Sequence, residues 1–320
     1  MKVLLITTEW QSQELPYNAA FLHQEVGALK KRGIEVDVFH FVAKKSLSNY
    51  LAAWVKLRKL LRRENYDLIH AHWGQSAILA LPKKIPLVVT HRGGDLEGIV
   101  DENGKITLQG RLLRFISQFV GLLADKVIIV SGSLAKYLWV KEYIVLPVCL
   151  DTELFKPMDK RACRERLGLD NKAKIILFPS DPSRVEKRFW LAEEACKQCS
   201  IPNELLVLQN IPHDQMPLYM NAANALIITS KYEGSPTVVF EALACNLPIV
   251  SVDVGDVKSR ISVFEGCVVC ENDEPESVSK GIDYVLHRDE RLESSTQMQE
   301  FNAEKFANEM INIYKEVLNV

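Results

Sequence analysis

The segment 230–254 constrains the fold most, because its residues predict a short helix between two buried strands. The run 225–230 that leads into it is mostly apolar, as expected of a parallel strand that is covered on both faces. Residues 249–252, which follow Pro248, repeat that composition. A strand, a helix and a strand in succession form one repeat of a parallel sheet with helices packed on it.

The helix of this segment, predicted over 237–245, has a recognisable start and end. Ser235 is predicted as its N-cap and Pro236 as its first residue, where a missing N–H group costs nothing. Asn246 suits the left-handed position that ends a helix. Since the helix begins beyond the carboxyl end of a strand, its free N–H groups form a site that can bind an anion.

Two carboxylates, Glu233 and Glu241, bracket this predicted anion site. A carboxylate can accept hydrogen bonds from two hydroxyl groups. The segment therefore suits a ligand that carries hydroxyl groups as well as phosphates.

A second loop contributes cations to the same half of the chain. Arg184 and Lys187 follow the predicted strand 174–178, at the edge where open α/β sheets bind ligands. A guanidinium and an ammonium together can neutralise a diphosphate. The alternative is a solvated charged loop, since Glu186 and Arg188 stand beside them.

The alternation of strands and helices extends over the 320 residues and is interrupted in a charged segment near 150–170. We predict an α/β protein with two doubly wound domains, over 1–155 and 156–300, and an amphipathic helix over 301–320. Residues 1–157 carry 21 Lys and Arg against 15 Asp and Glu, whereas the remainder carries 18 against 26. This asymmetry indicates two domains with different partners.

Several cofactor motifs are missing from the sequence. The loop after the first predicted strand, 2–7, contains no glycine, which argues against NAD or FAD. Neither a P-loop nor an Asp-x-Asp pair is present, so no cofactor and no metal is expected. Basic residues are not interleaved with exposed aromatic ones, so no nucleic-acid partner is expected.

Taken together, these stretches resemble a known family. Residues 233–251 (E-G-S-P-T-V-V-F-E-A-L-A-C-N-L-P-I-V-S) resemble the E-x7-E signature of the retaining GT-B glycosyltransferases of family 4, and 183–189 (S-R-V-E-K-R-F) resemble their diphosphate loop. The resemblance includes V-V-T-H-R-G-G-D at 88–95 and covers nearly the whole chain. It implies two Rossmann-like domains facing across a cleft, with the C-terminal helix crossing back to the first.

The resemblance assigns the donor to the second domain. Glu233 would accept hydrogen bonds from the hydroxyls of the donor sugar, and Glu241 from the ribose of its nucleotide. Arg184 and Lys187 would stabilise the charge on the nucleoside diphosphate as it leaves. The helix start and the loop near the base would supply the remaining donor contacts: Gly234, Ser235, Pro236, Thr237, Val238, Asn210 and His213.

The first domain would bind the acceptor, and it departs from the family at three places. Asn18 and Ala19 stand where the family usually has glycines, so their side chains would narrow the site. Arg92 takes the place of a frequent histidine that contacts the donor sugar, and residues 148–149 replace an Asn-Gly pair. The other residues expected at the cleft are His91 and Asp95.

We therefore predict an enzyme that moves a sugar from a nucleotide-sugar, expected to be a UDP-sugar, to a saccharide or lipid-linked acceptor in polysaccharide biosynthesis. The resemblance implies retention at the anomeric carbon, a front-face mechanism and no metal. Two alternatives stay open: a GT-B epimerase, and a non-catalytic protein that binds sugar nucleotides.

Cysteine usage and hydropathy indicate a cytoplasmic protein. The seven cysteines lie among apolar neighbours, as reduced thiols do, and neither a membrane-spanning run nor a signal-peptide pattern is present. A basic helix predicted over 50–63 could contact the inner face of the cytoplasmic membrane through Lys56, Arg58, Lys59, Arg62 and Arg63. Its apolar residues are expected to pack on the sheet instead: Leu51, Trp54, Leu57 and Leu61.

Two other patterns resemble metal sites. His70 and His72 share one face of a strand, and C-x-x-C pairs occur at 196–199 and 267–270. For the histidines, a structural or substrate-facing role is the preferred interpretation. For the cysteines, unpaired thiols are preferred, since the two cysteine pairs lie in separate elements.

Overall fold

The structure, a computed structural model, describes residues 1–10, 19–43, 46–99 and 105–320. The chain divides into two compact units. The first consists of Met1–Cys149 and Ala303–Val320, and the second of Leu150–Asn302. The division thus falls at the start of the charged segment and not after residue 155.

The first unit contains a six-stranded parallel sheet in the order β2-β1-β3-β4-β5-β6. Its strands are β1 (Lys2–Thr7), β2 (Glu35–His40), β3 (Leu68–His72), β4 (Leu87–His91), β5 (Lys126–Ile129) and β6 (Ile144–Val145). Its helices up to β6 are α1 (Ala20–Lys31), α2 (Leu47–Arg63), α3 (Gly74–Ala77), α4 (Gly94–Glu97) and α5 (Leu108–Leu123). The strands coincide with the apolar runs of the sequence to within a residue or two at their ends.

Helices cover both faces of this sheet. Successive strand residues point to opposite faces. Val3 and Leu5 therefore pack with residues of α1, whereas Leu4 and Ile6 pack with residues of α2 and α5. This is the doubly wound arrangement that the alternation of strands and helices predicted.

The second unit contains a five-stranded parallel sheet in the order β11-β10-β9-β7-β8. Its strands are β7 (Ile175–Phe178), β8 (Glu204–Val207), β9 (Ala225–Ile228), β10 (Ile249–Ser251) and β11 (Val268–Val269). Its helices are α6 (Lys160–Leu167), α7 (Phe189–Gln198), α8 (Met216–Ala222), α9 (Thr237–Ala244), α10 (Val257–Ile261), α11 (Pro275–Arg288) and α12 (Ser295–Met298). The winding of the sheet reverses at β7, which lies between β8 and β9.

The last helix, α13 (Ala303–Leu318), belongs to the first unit. It buries Phe306, Met310 and Tyr314 in the core that α1 also lines. The Tyr314 hydroxyl forms a 2.7 Å hydrogen bond with Nδ1 of His70 in β3. The helix therefore returns to the first unit, as the predicted fold class implies.

The packing of α2 differs from its prediction. Leu57 is buried and Leu61 packs against the sheet, but Leu51 and Trp54 are exposed. At 3.6 residues per turn, the side chain of Leu51 points about 120° away from that of Leu57, so it leaves the face that meets the sheet. Trp54 is held by its indole N–H, which donates to the carbonyl of Leu81 at 2.9 Å.

Within the described ranges, no helix combines the length and the hydrophobicity that a membrane span requires.

Candidate active site

The reversal in the second sheet brings two loops together. Strands β7 and β9 are parallel neighbours, so the loops that leave their carboxyl ends meet where open α/β sheets bind ligands. Lys187 comes from the first loop and Glu233 from the second, and Nζ lies 2.6 Å from Oε1. The two side chains are only 18% and 14% exposed. Lys187 is thus fixed beside Glu233 and is not part of a solvated loop.

The neighbouring arginines have different partners. The Arg184 guanidinium lies 2.6 Å from Oε1 of Glu186, and its side chain is 55% exposed. Arg188 is anchored more deeply: its Nε donates to the carbonyl of Thr229 at 2.6 Å, and its guanidinium also pairs with Asp273. Arg188 therefore ties the loop after β7 to the end of β9, while Arg184 stays at the surface.

The start of α9 differs from its prediction. The helix begins at Thr237, with Pro236 as its N-cap. Ser235 does not cap it, because its hydroxyl donates to Oδ2 of Asp256 at 2.9 Å. In the part of the chain that the structure describes, no side chain caps this helix. Its first N–H groups, at Thr237 and Val238, can therefore meet an anion.

Glu241, on the same helix, contacts His213, which the sequence predicted to lie near the base of the nucleotide. Nε2 of His213 is 2.7 Å from Oε1 of Glu241, and the Phe155 ring packs on the imidazole with centroids 5.0 Å apart. Burial alone would lower the pKa of His213, but the hydrogen bond and the negative charge of Glu241 raise that pKa above its usual value. Asn210, also predicted near the base, is exposed and has a left-handed backbone with φ 57°.

Two residues that the sequence analysis missed shape the turn at Glu233. Gly255 follows β10 with φ +58°, and a Cβ there would lie 2.4 Å from the carbonyl oxygen of Glu233 and 2.8 Å from that of Gly234. Only glycine fits that position without a shift. Asp256, which holds the Ser235 hydroxyl, is buried. The signal in the sequence is a glycine-containing turn directly after the buried run that became β10.

Arg92, in the first unit, is engaged inside the protein. Its side chain is 9% exposed, and the guanidinium lies 2.5 Å from a carboxylate oxygen of the buried Glu25 and 3.0 Å from Nδ1 of His72. It also covers the Phe21 ring at 4.3 Å from the ring centroid. Burial raises the pKa of Glu25, and the charge of Arg92 opposes that rise. The arginine predicted to contact the donor thus has three internal partners.

His91 and Asp95 form a buried pair beside this cluster. Nδ1 of His91 lies 2.5 Å from Oδ2 of Asp95, which also accepts from the N–H of Gly74 at 2.9 Å. Burial alone would raise the pKa of Asp95, but His91 and the backbone N–H groups lower it below its usual value. Both side chains are fully buried, so they shape the turn after β4.

At the start of α1, Ala19 is described and Asn18 lies outside the described residues. Ala19 is buried and has a left-handed backbone, with φ 47° and ψ 40°. This conformation favours glycine, the residue type that the resembled family usually carries in this stretch.

His70 is a structural histidine. Its Nε2 lies 2.7 Å from the hydroxyl oxygen of Thr90, and its Nδ1 is already bonded to Tyr314. Burial, with a smaller effect of the Arg92 charge, lowers its pKa to about 3. Among residues 1–10, 19–43, 46–99 and 105–320, no group of three or more His, Cys, Asp or Glu side chains could hold a metal ion.

Two family models match the chain. "Glycosyltransferase Family 4" matches residues 5–142, and "Glycosyl transferases group 1" matches residues 186–305. The second match contains Lys187, Glu233 and Glu241. The chain belongs to the glycosyltransferases. Its family 4 domain lies in the first unit, and most of its group 1 domain lies in the second.

Curated relatives of this glycosyltransferase carry related names. The chain is 26% identical to TuaC of Bacillus subtilis, named for teichuronic acid biosynthesis, over 81% of this chain and 82% of that protein. It is 24% identical to N-acetyl-alpha-D-glucosaminyl L-malate synthase of Bacillus anthracis, over 84% of this chain and 79% of that protein.

Solved structures show the same fold. Sucrose-phosphate synthase from Thermosynechococcus elongatus matches with a TM-score of 0.84 and 16% identity, covering 100% of this chain and 99% of that one. Anabaena HepE in complex with UDP matches with a TM-score of 0.72 and 17% identity, covering 99% and 100%. The glycosyltransferase thus has the predicted fold class, two Rossmann-like domains of the GT-B type.

Proposed function

We propose that this glycosyltransferase moves a sugar from a UDP-sugar to a saccharide or lipid-linked acceptor, with retention of configuration at the anomeric carbon. The observation that carries the proposal is the Lys187–Glu233 pair, 2.6 Å apart, in the unit that also presents the uncapped start of α9. A cation and free N–H groups suit a diphosphate. A carboxylate next to the cation suits the hydroxyls of the attached sugar.

Both predicted cations are proposed to contact the bound diphosphate. Arg184 is exposed and bonded to Glu186 within its own loop, so exchanging that carboxylate for a phosphate costs little. Lys187 can keep Glu233 and still donate to a phosphate, because an ammonium group has three donors. Together they stabilise the negative charge that grows on the nucleoside diphosphate as it leaves.

Glu241 is proposed to bind the ribose of the donor. Its Oε1 is bonded to His213, and a carboxylate has a second oxygen that can accept from a ribose hydroxyl. We assign the base to the neighbourhood of His213 and Asn210. The choice of uridine rests on the HepE structure, which has the same fold and contains UDP.

We propose a front-face transfer. The acceptor oxygen bonds to the anomeric carbon as the bond from that carbon to the phosphate oxygen breaks, and the electron pair stays on the diphosphate. The acceptor proton passes to the leaving phosphate on the same face of the sugar. Glu233 and Glu241 are therefore not the acid and nucleophile of a glycosidase. Because two cations and a helix N-terminus supply positive charge, we propose that no metal and no cofactor takes part.

The first unit is proposed to bind the acceptor near Arg92, at the turn that the buried His91–Asp95 pair shapes. Arg92 would share a substrate hydroxyl with Glu25, since the two groups are already paired. The name of TuaC, which refers to teichuronic acid, supports a saccharide acceptor. We further propose a cytoplasmic location with peripheral membrane contact through the cations of α2, which would bring the enzyme to a lipid-linked acceptor.

A non-catalytic protein that binds sugar nucleotides is the second candidate, because Arg92 is occupied by internal partners. A GT-B epimerase is the third alternative from the sequence. Both differ from a transferase in their products. The non-catalytic protein forms no product, and the epimerase forms an isomer of the nucleotide-sugar.

The test is to incubate the full chain with UDP-sugars and saccharide acceptors, to measure UDP release, and to determine the anomeric configuration of the product by NMR. We expect a product that retains the anomeric configuration of the donor. We also expect the rate of transfer to be the same with and without EDTA. Glu233→Gln should abolish transfer and leave the melting temperature within a few degrees of the wild-type value. The control Glu276→Gln, on the surface of α11, should change neither the rate of transfer nor the melting temperature. Full activity of Glu233→Gln, or an isomerised nucleotide-sugar as the sole product, contradicts the proposal.

A further inference from the structure

Helix α5 packs against its unit with its small side chains inward. The residues that it buries are Gly110, Ser117, Gln118, Val120 and Gly121. The residues that it exposes include Leu108, Leu112, Phe115, Phe119, Leu122 and Leu123. Leu112 is 59% exposed and Phe115 is 55% exposed. This is the reverse of the usual amphipathic helix, which buries its large apolar side chains.

Close backbone contacts fix this orientation. A Cβ added at Gly110 would lie 2.3 Å from the carbonyl oxygen of Ile99, and one added at Gly74 would lie 2.3 Å from Cα of Ser117. The Thr107 hydroxyl caps the helix by accepting from the N–H of Gly110 at 3.0 Å. Because neighbouring backbones touch α5 directly, the helix cannot rotate to bury its apolar side.

Aromatic rings extend the exposed surface beyond the helix. The rings of Phe115 and Phe119 are parallel with centroids 6.4 Å apart, and Trp139 meets Phe115 edge-on at 5.6 Å. Trp139 is itself half-exposed. We define Leu112, Phe115, Phe119 and Trp139 as the α5 apolar face. Contiguous exposed apolar surface of this kind marks a site of interaction.

Cations outnumber acids in α5 and in the segment that contains Trp139. Helix α5 carries Arg111 and Arg114 and contains neither Asp nor Glu. The Arg114 guanidinium lies over the Tyr137 ring, 5.0 Å from its centroid. Lys136 and Lys141 flank Trp139 in sequence, and Glu142 follows as the acid of that segment.

Helix α2 shows the same combination on the same side of the sheet. It packs in the core cluster that also contains Val120 of α5. Over Leu47–Arg63 it has no Asp or Glu, and it exposes Leu47, Leu51 and Trp54. Two acid-free, cationic helices thus expose apolar side chains from one layer of the first unit.

We propose that the α5 apolar face is the surface through which this protein inserts into an anionic lipid bilayer. Its apolar side chains enter the boundary of the acyl chains, and the exposed Arg111, at the edge of the face, meets the phosphates of the headgroups. A second copy of the chain fits less well, because it would bring a helix without Asp or Glu, and not an anionic surface, to the cations of α5. The inference deepens the membrane contact proposed for α2 and does not depend on sugar transfer.

The test is flotation of the full chain with vesicles of phosphatidylcholine, with and without phosphatidylglycerol. We expect binding to the vesicles that contain phosphatidylglycerol, and a loss of about tenfold or more in the partition coefficient for Leu112→Gln/Phe115→Gln/Phe119→Gln. Val263→Gln/Tyr284→Gln removes exposed apolar side chains of the second unit and should leave binding unchanged. All of the substituted side chains are exposed, so circular dichroism should show unchanged folding.

Three outcomes overturn the inference. The first is that the wild-type chain does not bind the anionic vesicles, and the second is that the triple variant binds them as well as the wild type does. The third is that the wild-type chain forms a dimer without lipid whereas the triple variant is a monomer, because the face would then be a subunit interface. If Lys59→Gln/Arg62→Gln/Arg63→Gln on α2 abolishes binding and the triple variant does not, the α2 contact stands and the α5 insertion is wrong.

Discussion

At the scale of single residues, Gly255 gives the sharpest test of the donor-site geometry. Gly255→Ala introduces a Cβ at φ +58°, 2.4 Å from the carbonyl oxygen of Glu233. We expect a loss of about 2–5 kcal/mol in the free energy of unfolding, from the left-handed backbone and the collision together. Urea denaturation measures the loss, and activity should fall because the Glu233 turn must move.

Gly168 supplies the matched control. It has φ +68°, and an added Cβ meets nothing within 4 Å among the residues that the structure describes. Gly168→Ala should therefore cost only about 1–2 kcal/mol and leave activity intact. Equal losses for the two variants would show that the contact with the Glu233 turn does not matter.

His213 predicts a pH dependence of stability. Glu241 raises the pKa of His213 in the folded chain. The stabilisation that the pair gives is therefore complete below the usual histidine pKa of about 6.5, and it is lost as pH rises through the raised pKa. The difference in unfolding free energy between wild type and His213→Gln should thus be larger at acidic than at alkaline pH. In a Glu241→Gln background the excess at acidic pH should disappear or reverse, because burial alone lowers the pKa of His213. Its persistence would mean that another group raises that pKa.

Sequence reasoning could identify the chemistry of some site residues but not their partners. Lys187 and Glu233 follow strands that the sequence predicted, and the order of those strands makes the residues neighbours. Ser235 and Arg92 have partners from other elements, Asp256 and Glu25, which local sequence does not reveal. The sequence does contain an indication of the role of Glu25, because it is an acidic residue on the apolar side of α1.

At the scale of elements, a buried hydrogen bond anchors α13 to the sheet. Tyr314→Phe leaves Nδ1 of His70 without its partner in the interior, which should cost about 1–3 kcal/mol in the free energy of unfolding. Tyr66→Phe is the control, because the Tyr66 hydroxyl donates to the half-exposed Asp37, which water can solvate. Thermal denaturation of both variants measures the difference, and a smaller loss for Tyr314→Phe would contradict this role of α13.

Element boundaries could be predicted where a local signal decides them. Asn246 has the predicted left-handed backbone, with φ 55°, directly after the cap of α9. The orientations of α2 and α5 could not be predicted, because periodicity assigns large apolar side chains to the core. In α5, glycine contacts with Ile99 and Ser117 decide which side faces inward.

At the scale of the whole molecule, the acidic half of the chain is the one that is proposed to bind an anionic donor. Residues 158–320 carry 18 Lys and Arg against 26 Asp and Glu. Local groups must therefore outweigh the net charge: the Arg184 and Lys187 cations and the N–H groups at the start of α9. Because Lys187 is largely buried, salt should screen it less than a surface charge.

The most direct measurement of the donor site is calorimetric titration of UDP into the full chain, the Lys187→Ala variant and a matched Lys197→Ala variant. Lys197 is a surface lysine of α7 that pairs with Glu193 and Glu194. We expect the wild-type chain and Lys197→Ala to bind UDP equally, and Lys187→Ala to bind it about ten to a hundred times more weakly, as the loss of a charge-assisted hydrogen bond implies. Equal affinity of Lys187→Ala and the wild type, or no binding of UDP, GDP or ADP by the wild type, would contradict the account.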